Sequence, residues 1–360
     1  QDYLAYFGLR CVSAFIFLLP MGTALRMMRG LGSVWFHLPF MIPESHVPAW
    51  LADARIGRIR LFGWLAGLSR GGNKALIKFR EHRRRAELNI QTSFPEMSPE
   101  RVSEVALASM QHLAMLAVEV LRTPRELTIW TWSRHVKLRN LDEALRQLLG
   151  KRGCIMLTGH YGNWELLGYV LAILGFDIVA VMRPLDNEYM NHFLLDRRER
   201  SGLKLLYKKG ATRSAPDVLD SGGALCFIAD QNAGKKGIFV DFFGRKASTY
   251  KSIGLLAMEY DVPIIVGSAR RLGPRFEYEM CVDRIIRPEE WKDREEPLLW
   301  ITATYTKALE DSIRVAPEQY LWMHRRWKTR PKDELAGAAN ADASSVPESD
   351  DDSLAAGLPA

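Results

Sequence analysis

The chain has 360 residues, 48% of them hydrophobic, which is enough for a sizeable folded core in one large or two small domains. Its formal net charge is +7, and because acidic residues are concentrated after Pro331, the rest of the chain is more basic than the total. A basic body favours anionic partners such as lipid headgroups, phosphates, acidic carrier proteins or nucleic acid. The four cysteines have neither metal-ligand nor disulfide-framework spacing, and Cys154 and Cys226 lie in apolar runs, which predicts buried structural thiols in a reducing compartment.

The N-terminal segment is strongly apolar, and arginines are its only charges between residues 3 and 42. The uncharged run between Arg10 and Arg26 contains Pro20 and is shorter than the about 20 residues that normally span a bilayer. We therefore expect residues 1–42 to form a membrane-anchoring helical segment, either a short tilted span or an interfacial anchor. A buried core helix is the alternative, and a cleaved signal peptide fits less well because the apolar character continues.

The next segment, 53–92, is basic and helix-prone, which indicates a solvated helix face or, beside an anchor, a surface that faces phosphates. Pro99 and Glu100 then open a predicted helix that continues to Leu121. Its apolar residues recur at three- and four-residue steps, which is typical of a core-facing stripe.

From Cys154 onward, short apolar runs alternate with helical patterns, which predicts an α/β domain with a mostly parallel sheet flanked by helices. We expect this domain to occupy residues 43–330. Residues 331–360 are rich in Ala, Ser, Asp and Gly and poor in large apolar residues, so they are expected to form a disordered acidic tail.

The most informative segment of the chain surrounds His160. An apolar strand is expected to end at Thr158, and a glycine-containing loop then leads into a helix. Ligands bind at the carboxyl ends of strands in parallel sheets, so His160 lies where a reactive group is expected. Glu165, in the first turn of the helix, could fold back onto one imidazole nitrogen and leave the other to accept a proton. Free amides near Gly162 and Asn163 could hold an oxyanion.

The sequence leaves two other interpretations of this histidine. It could be an ordinary polar surface residue. It could also bind a metal, but that requires three ligands and the remaining histidines form no tight pair, so no metal is expected. No convincing nucleophile is present, since Cys154 lies within an apolar run.

Four sequence blocks resemble the lipid A biosynthesis acyltransferase family. They are GHYGNWE (159–165), RPLDN (183–187), DQNAGKKGIFVDFFG (230–244) and PEQYLWMHRRWK (317–328). The resemblance covers residues 5–330. It implies the glycerolipid-acyltransferase α/β fold, an N-terminal membrane segment and a His-x4-Glu catalytic pair, here His160 and Glu165. It also implies an acyl thioester donor, acyl carrier protein or coenzyme A, no other cofactor, and a membrane glycolipid acceptor at the cytoplasmic face of the inner membrane.

On this resemblance, His160 would deprotonate the acceptor hydroxyl while Glu165 steadies the imidazolium. The expected substrate-binding residues are Asn163, Arg183, Asn187, Asp230, Gln231, Phe239, Phe243 and Arg325.

The roles of these residues stay open at this point. Arg183, expected at a strand end, would contact a phosphate of donor or acceptor, with a surface salt bridge as the alternative. Asp230 could order an arginine or accept a hydrogen bond from the acceptor. Phe239 and Phe243 could line an acyl groove or belong to the core, and Arg325 with Arg326 could lie at the membrane interface or on a solvated face.

Two rival functions remain. One is transfer from acyl-coenzyme A to another glycolipid, such as a mannosylated phosphatidylinositol, which shares the His-x4-Glu block. The other is a basic nucleic-acid-binding protein. The apolar N-terminus argues against it, and so does the lack of a zinc-finger, helix-turn-helix or aromatic RNA-binding motif. We therefore expect no nucleic acid partner.

Overall fold

A computed structural model describes residues 2–41, 78–150, 152–184, 187–199, 202–332 and 334. The predicted boundary between anchor and catalytic domain at residues 42 and 43, the N-terminal part of the basic segment and almost all of the predicted acidic tail lie outside the described residues. The described chain folds into a mixed α/β structure, which confirms the fold class expected from the alternating pattern.

The helices and strands follow in chain order. The N-terminal part contains α1 (Asp2–Leu18), α2 (Met21–Met41), α3 (78–93) and α4 (Pro99–Glu126). The α/β part contains β1 (Val136–Arg139), α5 (Asp142–Leu149), β2 (Cys154–Thr158), α6 (Trp164–Ile173), β3 (Ile178–Met182), α7 (Glu188–Glu199), β4 (Lys204–Tyr207), α8 (Lys208–Asp220) and β5 (Ala224–Ile228). It continues with β6 (Ile238–Phe242), β7 (Arg245–Thr249), α9 (Ser252–Glu259), β8 (Ile264–Arg271), β9 (Tyr278–Ile286) and α10 (Pro297–Val315).

The central sheet has seven strands in the order β1-β9-β8-β2-β5-β3-β4, and only the β8–β9 pair is antiparallel. Strand β2 is buried along its whole length between β5 and β8, as expected for a central parallel strand of apolar residues. Because β2 and β5 are parallel neighbours in register, Thr158 lies beside Ile228 and the segments that follow both strands meet at one edge. This edge holds the candidate site.

Apolar side chains fill both faces of the sheet. Helix α6 packs on one face with residues of α5 and α4, while α8, α9 and α10 cover the other face. A third cluster joins α3, α4, the β6–β7 hairpin and the C-terminal segment 316–327. The C-terminal segment therefore folds back against the body of the domain, next to the edge where β2 ends.

The two N-terminal helices are docked against α4. Pro20 separates α1 from α2, and the buried guanidinium of Arg122 donates to the carbonyl of Leu19 at 2.5 Å. A side chain at Gly32 would lie 2.7 Å from the Cα of Gln111, so the backbones of α2 and α4 approach too closely for any residue but glycine. One face of this helical pair is thus covered by α4.

Among the described residues, one helix is long and apolar enough to cross a membrane, and it is α4, with a mean hydropathy of 1.4 over its most apolar window. That window is 56% buried inside the protein. A core helix passes the same test of length and composition, and α4 contacts α2, α6 and the C-terminal segment. Neither α1 nor α2 meets the criteria of helix length and mean hydropathy together, so the anchor expected for residues 1–42 remains a prediction.

Candidate active site

The centre of the site is a hydrogen-bonded pair, His160 and Asp230. His160 follows β2 and Asp230 follows β5, so the parallel register of the two strands brings them together. The Nδ1–H of His160 donates to Asp230 Oδ1 at 2.7 Å, and the backbone N–H of His160 donates to Oδ2 at 2.9 Å. One carboxylate therefore fixes both the backbone and the ring of the histidine. This fixes the tautomer and leaves Nε2 as the unprotonated nitrogen, whose lone pair accepts one long hydrogen bond, from the side-chain NH₂ of Gln231 at 3.4 Å.

Each member of the His160–Asp230 pair stabilises the charged form of the other. Burial by itself lowers the pKa of His160, but the charge and hydrogen bond of Asp230, with a further contribution from Glu165, raise the pKa above its ordinary value. Burial favours the neutral form of Asp230, yet the contacts with His160 hold the pKa of this carboxyl well below its usual range. Asp230 is therefore an ionised carboxylate, and at 2% exposure it is shielded from solvent. The arrangement can accept a proton at Nε2 and stabilise the resulting imidazolium.

The predicted contact between Glu165 and the imidazole is wrong. Glu165 forms a two-pronged ion pair with Arg198 of α7, whose Nε donates to Oε2 at 2.9 Å and whose Nη2 donates to Oε1. Arg198 also contacts the sulfur of Met182 at the end of β3. The arginine competes successfully because its fork matches the carboxylate geometry. Glu165 therefore acts on His160 through its charge and not through a hydrogen bond.

The predicted oxyanion donors are also wrong. The N–H of Gly162 donates to Gln319 O at 3.1 Å, and the N–H of Asn163 donates to Ala269 O at 2.8 Å. These bonds pin the loop after His160 to β8 and to the C-terminal segment. Gly162 has φ +60°, and an added side chain would lie 2.0 Å from Ala269 O, so the pinned loop requires glycine.

Asn163 is fully buried and holds the helix, which makes direct substrate contact by its side chain incompatible with the structure. Its Oδ1 accepts from the N–H of Leu166 at 2.9 Å, which caps the N-terminus of α6. Its Nδ2 donates to Glu119 Oε2 at 3.2 Å. The predicted substrate-binding role is therefore corrected to a structural one.

Two buried polar residues of α4, to which the sequence analysis assigned no role, contact the loop that follows His160. The Nε2–H of His112 donates to Gly162 O at 3.0 Å, and burial lowers the pKa of His112 to about 3, so the ring is neutral. Glu119 accepts hydrogen bonds from Asn163 and Tyr278, and Arg271 Nη2 lies 2.6 Å from its Oε1. Both residues are buried on α4 but do not belong to the apolar positions of the predicted core stripe.

The C-terminal segment closes the site from the opposite side. The N–H of Leu321 donates to His160 O at 3.1 Å, and Tyr320 forms an isolated bridge with Tyr161. Arg326 is 1% exposed and donates to Ser248 O and to Thr249 Oγ1, both at 2.6 Å. The expectation that Arg326 lies at an interface or on a solvated face is therefore wrong, because this buried side chain joins the C-terminal segment to β7.

His324 is a site residue that the sequence reasoning missed. Its ring centroid lies 4.8 Å from that of His160. Burial first, and then the charge of His160, lower the pKa of His324 to about 4; Asp230 opposes this shift, and Arg85 adds a smaller lowering effect. The two histidines are far apart in the sequence, and only the folding back of the C-terminal segment makes them neighbours.

The remaining predicted site residues are spread around this centre. The amide of Gln231 lies 3.4 Å from His160 Nε2, which places Gln231 at the reactive nitrogen. Arg183 is exposed just after β3, and Asn187 begins α7 with its carbonyl accepting from Asn191 N–H. Arg325 is exposed near Glu81.

The two phenylalanines are part of or next to the core. Phe243 is 4% exposed and packs edge-to-face on Phe94 and Trp322, so its predicted place in an acyl groove is corrected to the core. Phe239 is half-buried on β6, and its role stays a prediction.

An apolar cavity of about 100 Å³ lies between α6 and the sheet. Its lining includes Trp164, Glu165, Gly168, Ala180, Met182 and Phe227. Trp164 connects the cavity to the site, since its ring centroid lies 4.9 Å from that of His160. Within the described ranges, no group of three or more His, Cys, Asp or Glu side chains is placed to hold a metal ion.

The fold and the site are those of an α/β protein in which a strand-end histidine is held by a buried carboxylate, an arrangement suited to general-base catalysis. The chain belongs to the bacterial lipid A biosynthesis acyltransferase family, whose sequence model matches residues 50–329. This membership confirms the resemblance that the four sequence blocks indicated.

Curated relatives agree with this assignment. The chain is 29% identical to a lipid A biosynthesis palmitoleoyltransferase of Escherichia coli over 254 residues, which is 68% of this chain and 78% of the relative. It is 25% identical to the lipid A biosynthesis lauroyltransferase of Escherichia coli over 269 residues, which is 73% of this chain and 84% of the relative. A phosphatidylinositol mannoside acyltransferase of Mycobacterium tuberculosis is 29% identical over 126 residues, which is 34% of this chain and 39% of the relative.

Proposed function

We propose that this acyltransferase moves a fatty acyl chain from an acyl thioester to a hydroxyl of a lipid A precursor, with His160 as general base. The observation that carries the proposal is the 2.7 Å hydrogen bond from His160 Nδ1 to the buried carboxylate of Asp230. This bond prepares Nε2 to accept a proton, and the family supplies the reaction class.

The proposed reaction needs no covalent enzyme intermediate. His160 Nε2 accepts the hydroxyl proton as the hydroxyl oxygen attacks the thioester carbonyl, and Asp230 stabilises the imidazolium. The tetrahedral intermediate then collapses, and the departing thiolate takes the proton from the imidazolium, which yields the ester and a free thiol. Cys154 is no alternative nucleophile, because burial raises the pKa of its thiol to about 12.

The oxyanion needs donors other than the amides of Gly162 and Asn163, which are occupied. The next two amides, of Trp164 and Glu165, belong to the first turn of α6, where backbone N–H groups have no partner within the helix. We assign the oxyanion to these two amides at the positive end of the helix.

The apolar cavity beside α6 is the proposed acyl-chain site. Its lining is mostly hydrocarbon apart from Thr158 and the Glu165–Arg198 ion pair, and it includes Trp164, next to His160. At about 100 Å³ it is smaller than the about 300–1,000 Å³ typical of ligand pockets, so a long chain would have to displace flexible side chains. Met182 and Leu203 are candidates for this displacement, since both line the cavity.

The membrane contact is proposed for the outward face of α1 and α2. Large apolar side chains are exposed there: Tyr3, Phe7, Val12, Phe15, Leu18, Leu31 and Val34. Trp130, which is 84% exposed, follows the end of α4, and Arg125 in the last turn of α4 donates to Phe17 O. This face fits a helical pair resting on the inner membrane at its cytoplasmic side.

Acyl carrier protein and coenzyme A remain alternative donors, and a mannosylated phosphatidylinositol remains an alternative acceptor. The mannoside acyltransferase relative matches about a third of the chain, whereas the lipid A relatives match more than two thirds. This difference in coverage favours the lipid A precursor.

The test is an acyl-transfer assay with purified protein, a lipid A precursor and either thioester, read by mass spectrometry of the lipid product. We expect His160→Ala to lower kcat by about 10²–10⁴-fold, as for loss of a general base. His192→Ala, at an exposed histidine of α7, is the matched control and should keep full activity. Wild-type rates in a folded His160→Ala protein would remove His160 from the mechanism, and transfer only to a phosphatidylinositol mannoside would change the acceptor.

A further inference from the structure

A cluster of cationic side chains lies directly beside His324 and comes from two separate parts of the chain. Arg85 and Glu81 occupy one face of α3, and Arg325 lies in the C-terminal segment. Arg85 Nη2 is 3.6 Å and Arg325 Nη2 is 4.0 Å from the same oxygen, Glu81 Oε2. The two guanidinium groups therefore converge on one point, where a single carboxylate faces two full positive charges.

The position of this cluster is fixed by backbone contacts. Arg85 Nη1 donates to Met323 O at 3.1 Å, and Asn89 donates to Trp322 O at 2.8 Å and to His324 O at 3.1 Å. Helix α3 thus holds the turn that carries both His324 and Arg325. His324 links the cationic cluster to His160, since it precedes Arg325 in the chain and its ring centroid lies 4.8 Å from that of His160.

The cluster carries more positive charge than its own carboxylate neutralises. Burial and then Arg85, Lys78 and Arg325 lower the pKa of His82, with Glu81 opposing them. Burial followed by Arg325 lowers the pKa of Arg85. The Nδ1 of His82 is buried and has no hydrogen-bond partner among the described residues. Like charges held close together cost free energy, which an anionic ligand would recover.

We propose that Arg85 and Arg325, assisted by His82 and His324, bind a phosphate group of one of the two substrates beside the catalytic histidine. The proposal rests on the proposed acyl transfer and adds a recognition site to it. A guanidinium pair offers the forked donors that match phosphate oxygens. The phosphate could belong to the lipid acceptor or to the phosphopantetheine arm of the donor, because the chemistry is the same.

The exposed fraction of Arg325 makes it the first residue to change. Its side chain is 57% exposed, so Arg325→Gln should fold normally, and Arg85→Gln is the second variant. Arg287→Gln is the matched control, since this arginine is 45% exposed, pairs with Glu143 and follows β9 at the opposite edge of the sheet from His160. We expect KM to rise by about 10- to 100-fold in either cluster variant, with kcat changed far less, as for loss of a hydrogen bond to a charged group.

Substrates without the phosphate distinguish the two sources. If the acceptor supplies the phosphate, wild type and Arg325→Gln should have equal KM values for a dephosphorylated acceptor. If the donor supplies the phosphate, wild type and Arg325→Gln should have equal KM values for an acyl-pantetheine that lacks the phosphate. A defect of the same size with both phosphate-free substrates, or no defect with the natural ones, would overturn the proposal.

A binding measurement separates this proposal from the proposed reaction. Thermal melting at low salt is compared with glucose 1-phosphate and with glucose as probes. The phosphorylated sugar should raise the Tm of wild type and of Arg287→Gln, and the Arg85→Gln/Arg325→Gln double variant should lose that shift. An unchanged Tm shift in the double variant would overturn the proposed phosphate site. Loss of acyl transfer in wild type, with the shift intact, would instead count against the proposed function.

Discussion

The hydrogen bonds of Asp230 make a sharp prediction for Asp230→Asn. The native carboxylate accepts both the ring N–H and the backbone N–H of His160, at 2.7 and 2.9 Å. An asparagine has one oxygen and one NH₂ group, so it can accept only one of the two bonds well, and its NH₂ group favours the wrong imidazole tautomer. We expect kcat to fall by about 10²–10⁴-fold, the range for lost general-base catalysis, while the protein stays folded.

The pH profile gives the same prediction a second measurement. Because the base must be neutral, the rate rises with pH through the pKa of His160, which Asp230 raises above its ordinary value. Removing the negative charge leaves burial, which lowers that pKa, so the acidic limb of kcat should move to lower pH in Asp230→Asn. Initial rates measured across the acidic and neutral range, with Asp241→Asn at an exposed aspartate as control, test this shift. A wild-type kcat with an unmoved acidic limb would refute the assignment of Asp230 as the partner of the base.

Three further perturbations address the support of the site, its acyl pocket and the C-terminus. Glu119→Ala leaves the buried Arg271 without its ion-pair partner, so we expect a loss of about 3–5 kcal/mol in the free energy of unfolding by chemical denaturation; a loss below 1 kcal/mol would contradict the buried pair. Gly168→Leu fills part of the cavity beside α6 and should shift donor preference towards shorter acyl chains in a competition assay, whereas Gly30→Leu, at an exposed glycine outside the cavity lining, should not; unchanged chain preference would exclude this cavity. Truncation after Glu334, which retains its ion pair with Arg330, should leave kcat and Tm unchanged, and a clear drop in Tm would show that the acidic tail docks.

The position of His160 at the sheet edge was predictable because its signal is local. A strand, a glycine loop and a helix start within a few residues place His160 at a sheet edge, and an alternating pattern is enough to predict the parallel sheet. The partner of His160 was not predictable in the same way. Asp230 lies 70 residues away, and its contact depends on β5 being the neighbour of β2.

The error over Glu165 has a physical cause. A carboxylate five positions after a histidine is a reasonable partner when nothing else competes, but Arg198 of α7 offers two parallel hydrogen bonds that one imidazole cannot match. The position of α7 over the sheet determines the outcome, and this position follows from tertiary packing. Asn163 illustrates the same limit, since its capping bond is local but its bond to Glu119 on α4 is not.

The geometry of the site also explains why so much of the chain is needed for one catalytic residue. The loop that carries His160 is held by β8 through Asn163, by α4 through His112, and by the C-terminal segment through Leu321. Each contact involves a backbone group of the loop, so each fixes position without using the catalytic side chain. Since α4 also carries the docked helices α1 and α2, the apolar outward face of that pair is connected to the His160 loop through one helix. Under the proposed function, this connection sets the distance between an amphiphilic acceptor at the membrane and the proton acceptor at the sheet edge.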